Sequence, residues 1–338
     1  MASKSHPWPE ELSYAERMRV VRGVVRKHGA ALRRLPNVLL VGVGLEHVRS
    51  PDEGGLVPVR VPRHRLHAHD EFVPCVQVLV RKKWGGRRRS GGALPETLRA
   101  SVSMQGKRRS RVVVDVPVDV VELQPTTLHG WDCSALRDEQ FADGSAAALV
   151  QFGDWDEPQL LSCHHVLGLT EQQPFDPSLG NVTVTYQGSA TGSAVTLPSN
   201  PWTCDAALAK SPSPQWTPAP EVPSLQGVLP ADQDPPPIFY ALTADGVRTV
   251  SFVQRTGPWP QSGYAGGKTV TFPEIFITSG QTAGDTFAKG ASGGALVTGD
   301  GLLVSMHFGG GGRQSLSVPM AAVFSAFPMG VKLWSPSS

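Results

Sequence analysis

The pattern of apolar and polar positions changes character twice along the chain. After Ser13-Tyr14-Ala15-Glu16, which fits an S-x-x-E capping box, Met18, Val21, Val25 and Leu32 recur at near-helical spacing. Arg17, Arg22, Arg26 and Lys27 fall between them, so the spacing predicts one amphipathic helix that ends before Pro36. A basic amphipathic helix can lie on a membrane surface, but packing its stripe on its own domain is the simpler reading. Residues 38–44, 72–80 and 112–122 then form near-continuous apolar runs, read as strands of a sheet that this helix covers. Pro117 cannot donate to a ladder, so the last run is expected to break there into one or two strands.

From about Gly144 the runs shorten and turn residues separate them. Strands are predicted at 146–152, 159–162, 182–186 and 195–197, and again at 249–253, 269–272, 275–278, 295–297 and 302–306. Such spacing is that of barrels or sandwiches. The Pro-rich stretch 211–237 reads as a link between two barrels, and 318–324 as a short closing helix.

Composition supports that division. The 36 Gly and 30 Pro in 338 residues favour short strands over long helices. Residues 1–125 hold 23 basic against 12 acidic side chains, and residues 126–338 hold 8 against 17. The contrast predicts a basic α/β N-terminal domain at 1–125 and an acidic mainly β domain at 126–338, which attract each other or meet partners of opposite charge. No apolar run approaches the ~20 residues of a membrane span. The first residues carry no apolar stretch of a signal peptide. Four cysteines without framework spacing suggest reduced thiols, and together these points predict a cytoplasmic protein with no membrane partner.

The chemistry centres on Gly290-Ala291-Ser292-Gly293-Gly294. A serine among glycines can expose its hydroxyl on a tight turn, although such pentapeptides are also ordinary loops. Two upstream stretches matter: Leu161-Ser162-Cys163-His164-His165 and Asp205-Ala206-Ala207-Leu208. With the serine loop, they resemble the T-A-A-H, D-x-A-L and G-D-S-G-G motifs of the trypsin/chymotrypsin-like serine peptidases, in the same order. The separations of 40 and 87 residues suit two small barrels with a site between them. The resemblance covers roughly 140–330 and implies a chymotrypsin-like double β-barrel. It implies His165 as general base, Asp205 as its orienting partner and Ser292 as nucleophile. The N–H groups of Gly290 and Ser292 would form the oxyanion hole. The same pentapeptide satisfies the G-x-S-x-G elbow of α/β-hydrolases, but there the serine precedes its partners.

Several points stay open in the sequence. His164 competes with His165 for the role of base. Cys163 and Cys204 flank the motifs and could approach each other, against the simpler reading of two small buried thiols. Ala291 stands where the family has an aspartate that receives a new N-terminus, so activation by N-terminal insertion is not expected. Thr286 falls at the floor of the specificity pocket, without the acid that supports cleavage after Lys or Arg. Met306-His307-Phe308-Gly309 resembles the I-H-W-G stretch of glutamyl endopeptidases, which implies Thr286, His307, Phe308 and Gly309 as substrate-binding residues with a preference for acidic side chains. Helix, V-G-V-G strand and basic run together resemble the leading domain of certain intracellular trypsin-like proteins. Gly42-x-Gly44 is not a dinucleotide fingerprint.

The expected partner is a protein substrate, with a regulatory protein partner besides. The basic runs at 81–89 and 107–111 admit nucleic acid but read more simply as solvated loops. His64, His67 and His69 stand among arginines with no second carboxylate, so neither a metal nor a cofactor is expected. The alternative function is a catalytically silent trypsin-like module that binds protein.

Overall fold

The computed structural model describes residues 8–9, 12–49, 56–59, 72–81, 94–104, 110–123, 127–128, 144–167, 182–186, 189–211, 224–243, 246–264, 268–282, 284–287 and 290–335. The basic runs at 81–89 and 107–111 apart from Arg81, Ser110 and Arg111, the histidines at 64–69, Cys133 and residues 212–223 of the Pro-rich link lie outside the described residues.

Helix α1 (Tyr14–Arg33) forms as its capping box dictates: Glu16 N–H donates to the Ser13 hydroxyl and Ser13 N–H donates to the Glu16 carboxylate. Its buried side is Met18, Val21, Val24, Gly29 and Leu32, so Val24 lies deeper than the expected Val25. Arg17 is also fully buried, where the sequence pattern had placed it among the solvated basic residues.

The leading strands are β1 (Val38–Leu45), the short pair β2 (His47–Arg49) and β3 (Leu56–Pro58), β4 (Pro74–Val80), β5 (Thr97–Met104), β6 (Ser110–Glu122) and the two-residue β7 (Thr127–Leu128). α1 packs on β1 and β4, as a helix-covered sheet requires. β6 is unbroken at Pro117, which corrects the expected interruption. The reason lies in its partners: it runs antiparallel to β5 up to Pro117 and parallel to β4 from Val118 onward. Proline therefore sits where the strand changes neighbours, and its missing donor breaks no continuous ladder.

The rest of the chain is almost all β. It contains β8 (Ala148–Phe152), β9 (Gln159–Ser162), the short helix α2 (His164–Leu167), β10 (Val182–Tyr186), β11 (Ser189–Ser193), β12 (Ala207–Lys210) and the short β13 (Gly227–Val228). β14 (Ile238–Thr243), β15 (Gly246–Thr256), β16 (Trp259–Tyr264), β17 (Lys268–Phe272), β18 (Ile275–Gly280), β19 (Ala295–Val297), β20 (Leu302–Gly311) and β21 (Gln314–Pro319) follow. Helix α3 (Met320–Ala326) and β22 (Val331–Leu333) close the chain. The predicted strand at 195–197 is only an isolated bridge, Thr196 to Leu208. The predicted closing helix starts later, because Val318 and Pro319 still belong to β21.

The order β14-β19-β20-β21-β18-β15, with β15 returning to β14, closes a six-stranded barrel. The order β12-β9-β8-β22 makes a second, four-stranded sheet beside it. The fold class is thus mainly β, and among the described residues one barrel of the expected double β-barrel closes, with the four-stranded sheet beside it. The leading sheet is joined to the closed barrel: β1 pairs with β15, Val43 opposite Arg255 and Gly44 opposite Gln254. Its two glycines make that seam possible. A Cβ on Gly42 would lie 2.4 Å from the Arg255 carbonyl oxygen, and one on Gly44 would lie 2.3 Å from that of Val253. Arg22 of α1 adds a 2.5 Å ion pair to Asp234. Among the described residues, no helix is long and apolar enough to cross a membrane.

Candidate active site

The site begins with two neighbouring strands of the four-stranded sheet. β9 and β12 run antiparallel, with Ser162 opposite Ala207. His165 comes three residues after Ser162, and Asp205 comes two before Ala207, so both fall at the same end of the sheet. His164 N–H donates to the Asp205 carbonyl at 3.3 Å. His165 N–H donates to Asp205 Oδ1 at 3.1 Å. Asp205 Oδ2 accepts from His165 Nδ1–H at 2.5 Å and from the Tyr264 hydroxyl at 2.8 Å. His164, His165 and Asp205 are all fully buried.

The electrostatics follow from this geometry. Burial pushes the Asp205 carboxyl up, but the His165 charge and the hydrogen bonds from His165 and Tyr264 outweigh it and hold the group below its ordinary value. Bound through Nδ1–H, a neutral His165 carries its lone pair on Nε2, which has no hydrogen-bond partner among the described residues. Burial lowers His164 to about 4. Of the two adjacent histidines, only His165 bonds the Asp205 carboxylate through its ring.

The serine loop arrives from the closed barrel. Gly290 and Gly293 both have positive φ, at 89° and 86°, a backbone shape that glycine adopts without strain. The loop is stitched to the segment that leads into β8. Ser145 N–H donates to Ser292 O at 2.7 Å, and the Ser145 hydroxyl donates to Gly290 O at 2.7 Å. A Cβ on Gly293 would lie 2.0 Å from Ser162 Oγ, so the loop abuts the strand end that leads into His165. Ser292 is fully buried, and its hydroxyl donates to the Phe308 carbonyl at 3.0 Å instead of to His165. Among the described residues, the N–H groups of Gly290 and Ser292 donate no hydrogen bond.

β20 carries the remaining candidates. His307 O accepts from Gly293 N–H at 2.8 Å and from Cys163 Sγ at 3.2 Å. The His307 ring stacks on Phe287 with centroids 4.8 Å apart, and Nδ1 lies 2.6 Å from Ser315 Oγ. Phe308 stacks on Phe272 of the β16–β17 hairpin at 4.2 Å. Gly309 sits in the ladder opposite Leu316 and Leu128. Thr286 is exposed, one residue before the buried Phe287. Cys163 and Cys204 are free buried thiols.

Cys163, His165 and Asp205 each place one donor atom within 4.8 Å of the others. Histidine and carboxylate are bonded to each other, and the thiol is bonded to His307 O, so a metal ion would have to displace these contacts. Sequence reasoning missed Ser145, Tyr264 and Ser315. None lies in a motif, and none has a spacing that marks it.

No protein-family model and no curated protein matches the chain. Among solved structures, it is similar to the Rv3671c protease of M. tuberculosis in an inactive form, at 16% identity and a TM-score of 0.33, over 55% of this chain and 88% of that one. It is similar to the HtrA-type protease AlgW with a tripeptide, at 18% identity and 0.32, over 54% of this chain and 53% of that one. The MamO protease domain from Magnetospirillum magneticum matches at 15% identity and 0.29, over 59% of this chain and 93% of that one. All three are structures of proteases.

Proposed function

We propose that the chain is a serine endopeptidase of the trypsin-like kind, with His165, Asp205 and Ser292 as its working side chains. The observation that carries the proposal is the buried Asp205–His165 pair, bonded at 2.5 Å through Nδ1. A buried carboxylate bonded to Nδ1–H fixes the tautomer whose Nε2 accepts a proton. In the proposed reaction Nε2 takes the Ser292 proton as Oγ attacks a peptide carbonyl carbon. The oxyanion is met by the N–H groups of Gly290 and Ser292. Collapse breaks the C–N bond, and the same proton passes from His165 to the leaving amine. Water then hydrolyses the acyl-serine by the same route.

Ser292 Oγ has to leave the Phe308 carbonyl and turn toward Nε2, at a cost of about 0.5–1.5 kcal/mol for one hydrogen bond. A site that is closed at rest suits limited cleavage of a protein partner in a cytoplasm, under control of the leading domain or a regulatory protein. His307 would supply a preference for acidic side chains if substrate displaces its contact with Ser315.

A second reading, a silent protein-binding module, draws on the burial of Ser292 and its bond to Phe308 O. A fluorophosphonate probe separates the two. Covalent labelling that is lost in Ser292→Ala and His165→Ala supports the peptidase, and absence of labelling in the wild-type chain sinks it.

A further inference from the structure

The Asp205 carboxylate is held by more than the histidine it serves. A carboxylate offers about four acceptor positions, and a fully buried one is costly unless these are met. Three donors reach Asp205 among the described residues: the N–H and Nδ1–H of His165 and the hydroxyl of Tyr264. Two of the three belong to the residue that Asp205 orients. The main-chain N–H holds Oδ1 in place, but Oδ2 would otherwise be met only by the imidazole it orients, which can turn about its own side-chain bonds. Tyr264 supplies the independent anchor of Oδ2.

Its placement fits that task. Tyr264 ends β16, in the hairpin with β17, and so comes from a different part of the chain than the β9–β12 pair that carries His165 and Asp205. The side chain is 2% exposed. Its ring stands edge-on to the imidazole, with centroids 6.0 Å apart and planes at 74°. One side chain thus bonds the carboxylate and walls the histidine. Burial, followed by the Asp205 charge, pushes the phenol well above its ordinary range, so the hydroxyl remains a donor throughout the pH range of interest.

We propose that Tyr264 is a positioning residue of this site, fixing the Asp205 carboxylate so that His165 presents Nε2 to Ser292. The role rests on the peptidase reading for its consequence, but it can be measured without catalysis. Tyr264→Phe keeps the ring and removes only the hydroxyl. With that donor gone, one of the hydrogen bonds that hold the Asp205 carboxyl below its ordinary value is lost, so the titration midpoint measured for the Asp205–His165 pair is expected to rise.

The experiment uses the full chain. The downfield Nδ1–H proton of His165, bonded at 2.5 Å, is followed by NMR against pH in the Ser292→Ala background, with and without Tyr264→Phe. In the Ser292-containing chain, peptide hydrolysis is expected to lose about tenfold in kcat with KM within about twofold, and the acid limb should move up with the NMR midpoint. Site-specific 3-fluorotyrosine at 264, a stronger donor, is the second variant. It keeps the hydroxyl and is expected to move the midpoint down, which holds the idea to account even if the phenylalanine variant fails to fold. An unchanged Nδ1–H signal and unchanged midpoint in a folded variant overturn the positioning role. A shifted midpoint in a chain whose Ser292 takes no fluorophosphonate supports the role and removes the peptidase.

Discussion

His164 offers a test whose size follows from burial alone. Its ring is fully buried beside His165 and Asp205. Burial lowers its pKa from 6.5 to about 4; Asp205 raises it in part, and His165 lowers it further. The folded chain therefore takes up this proton more reluctantly than the unfolded chain. Stability from the neutral ring is complete above pH 6.5 and is lost as pH falls toward 4, where it levels off. At about 1.36 kcal/mol per pH unit, the loss is about 2 kcal/mol by pH 5 and about 3 kcal/mol by pH 4. His164→Gln keeps a polar side chain that cannot titrate in this range. Urea unfolding of both proteins at several values between about pH 7.5 and 4.5 measures the effect. A constant offset of the mutant at neutral pH leaves the test intact, because the slope is the readout. The difference between the curves should shrink or reverse by about 2–3 kcal/mol across the window. Parallel curves would show that this ring is solvated or already charged in the folded state, and the burial argument would fail.

The remaining expectations concern the site and the seam. Asp205→Asn should leave the fold intact and lower peptide hydrolysis by about 10⁴-fold, since the amide no longer enforces the Nδ1–H tautomer; this is read from kcat on a peptide substrate. Gly293→Ala would place a methyl 2.0 Å from Ser162 Oγ and 2.1 Å from Ser145 O, at a φ of 86°. Loss of fluorophosphonate labelling together with a lower thermal midpoint is expected, and a fully labelled variant of unchanged stability would refute the packing. Gly44→Ala would put a methyl 2.3 Å from Val253 O in the β1–β15 seam. It should loosen the leading sheet from the barrel, seen as faster amide exchange in both strands.

The features legible in the sequence were those written into local chemistry. Ser13 and Glu16 announced the start of α1 because a capping box is complete within four residues. Gln159–Ser162 read as a strand because its apolar run is short and bounded by turns. The order of His165, Asp205 and Ser292 carried the candidate site, because each lies in a short motif. What long-range pairing decides was not visible. Pro117 looked like a break, since nothing local says that β6 exchanges β5 for β4 at that residue. Ile238–Thr243, directly after the Pro-rich link, was not read as a strand, though its partners β15 and β19 make it a wall of the barrel. Tyr264 carries no motif at all, and only the closure of the fold brings its hydroxyl to Asp205.

β20 shows why specificity and catalysis are hard to separate in this chain. Its side chains at 307 and 308 are both buried but on different clusters, one on Phe287 and the other on Phe272. Its carbonyls at the same two residues face the site: His307 O receives Gly293 N–H and Cys163 Sγ, and Phe308 O receives the Ser292 hydroxyl. One strand segment therefore ties the serine loop to the stretch that leads into His165. A substitution at His307 intended to alter the acceptable side chain would first disturb its stack on Phe287 and its contact with Ser315. Any shift of backbone that follows is passed directly to Gly293 and Ser292, because interiors packed at this density transmit displacement rather than absorb it. A change of preference by this route would therefore come with a lower kcat, whereas a change at the exposed Thr286 would leave the carbonyl rail in place.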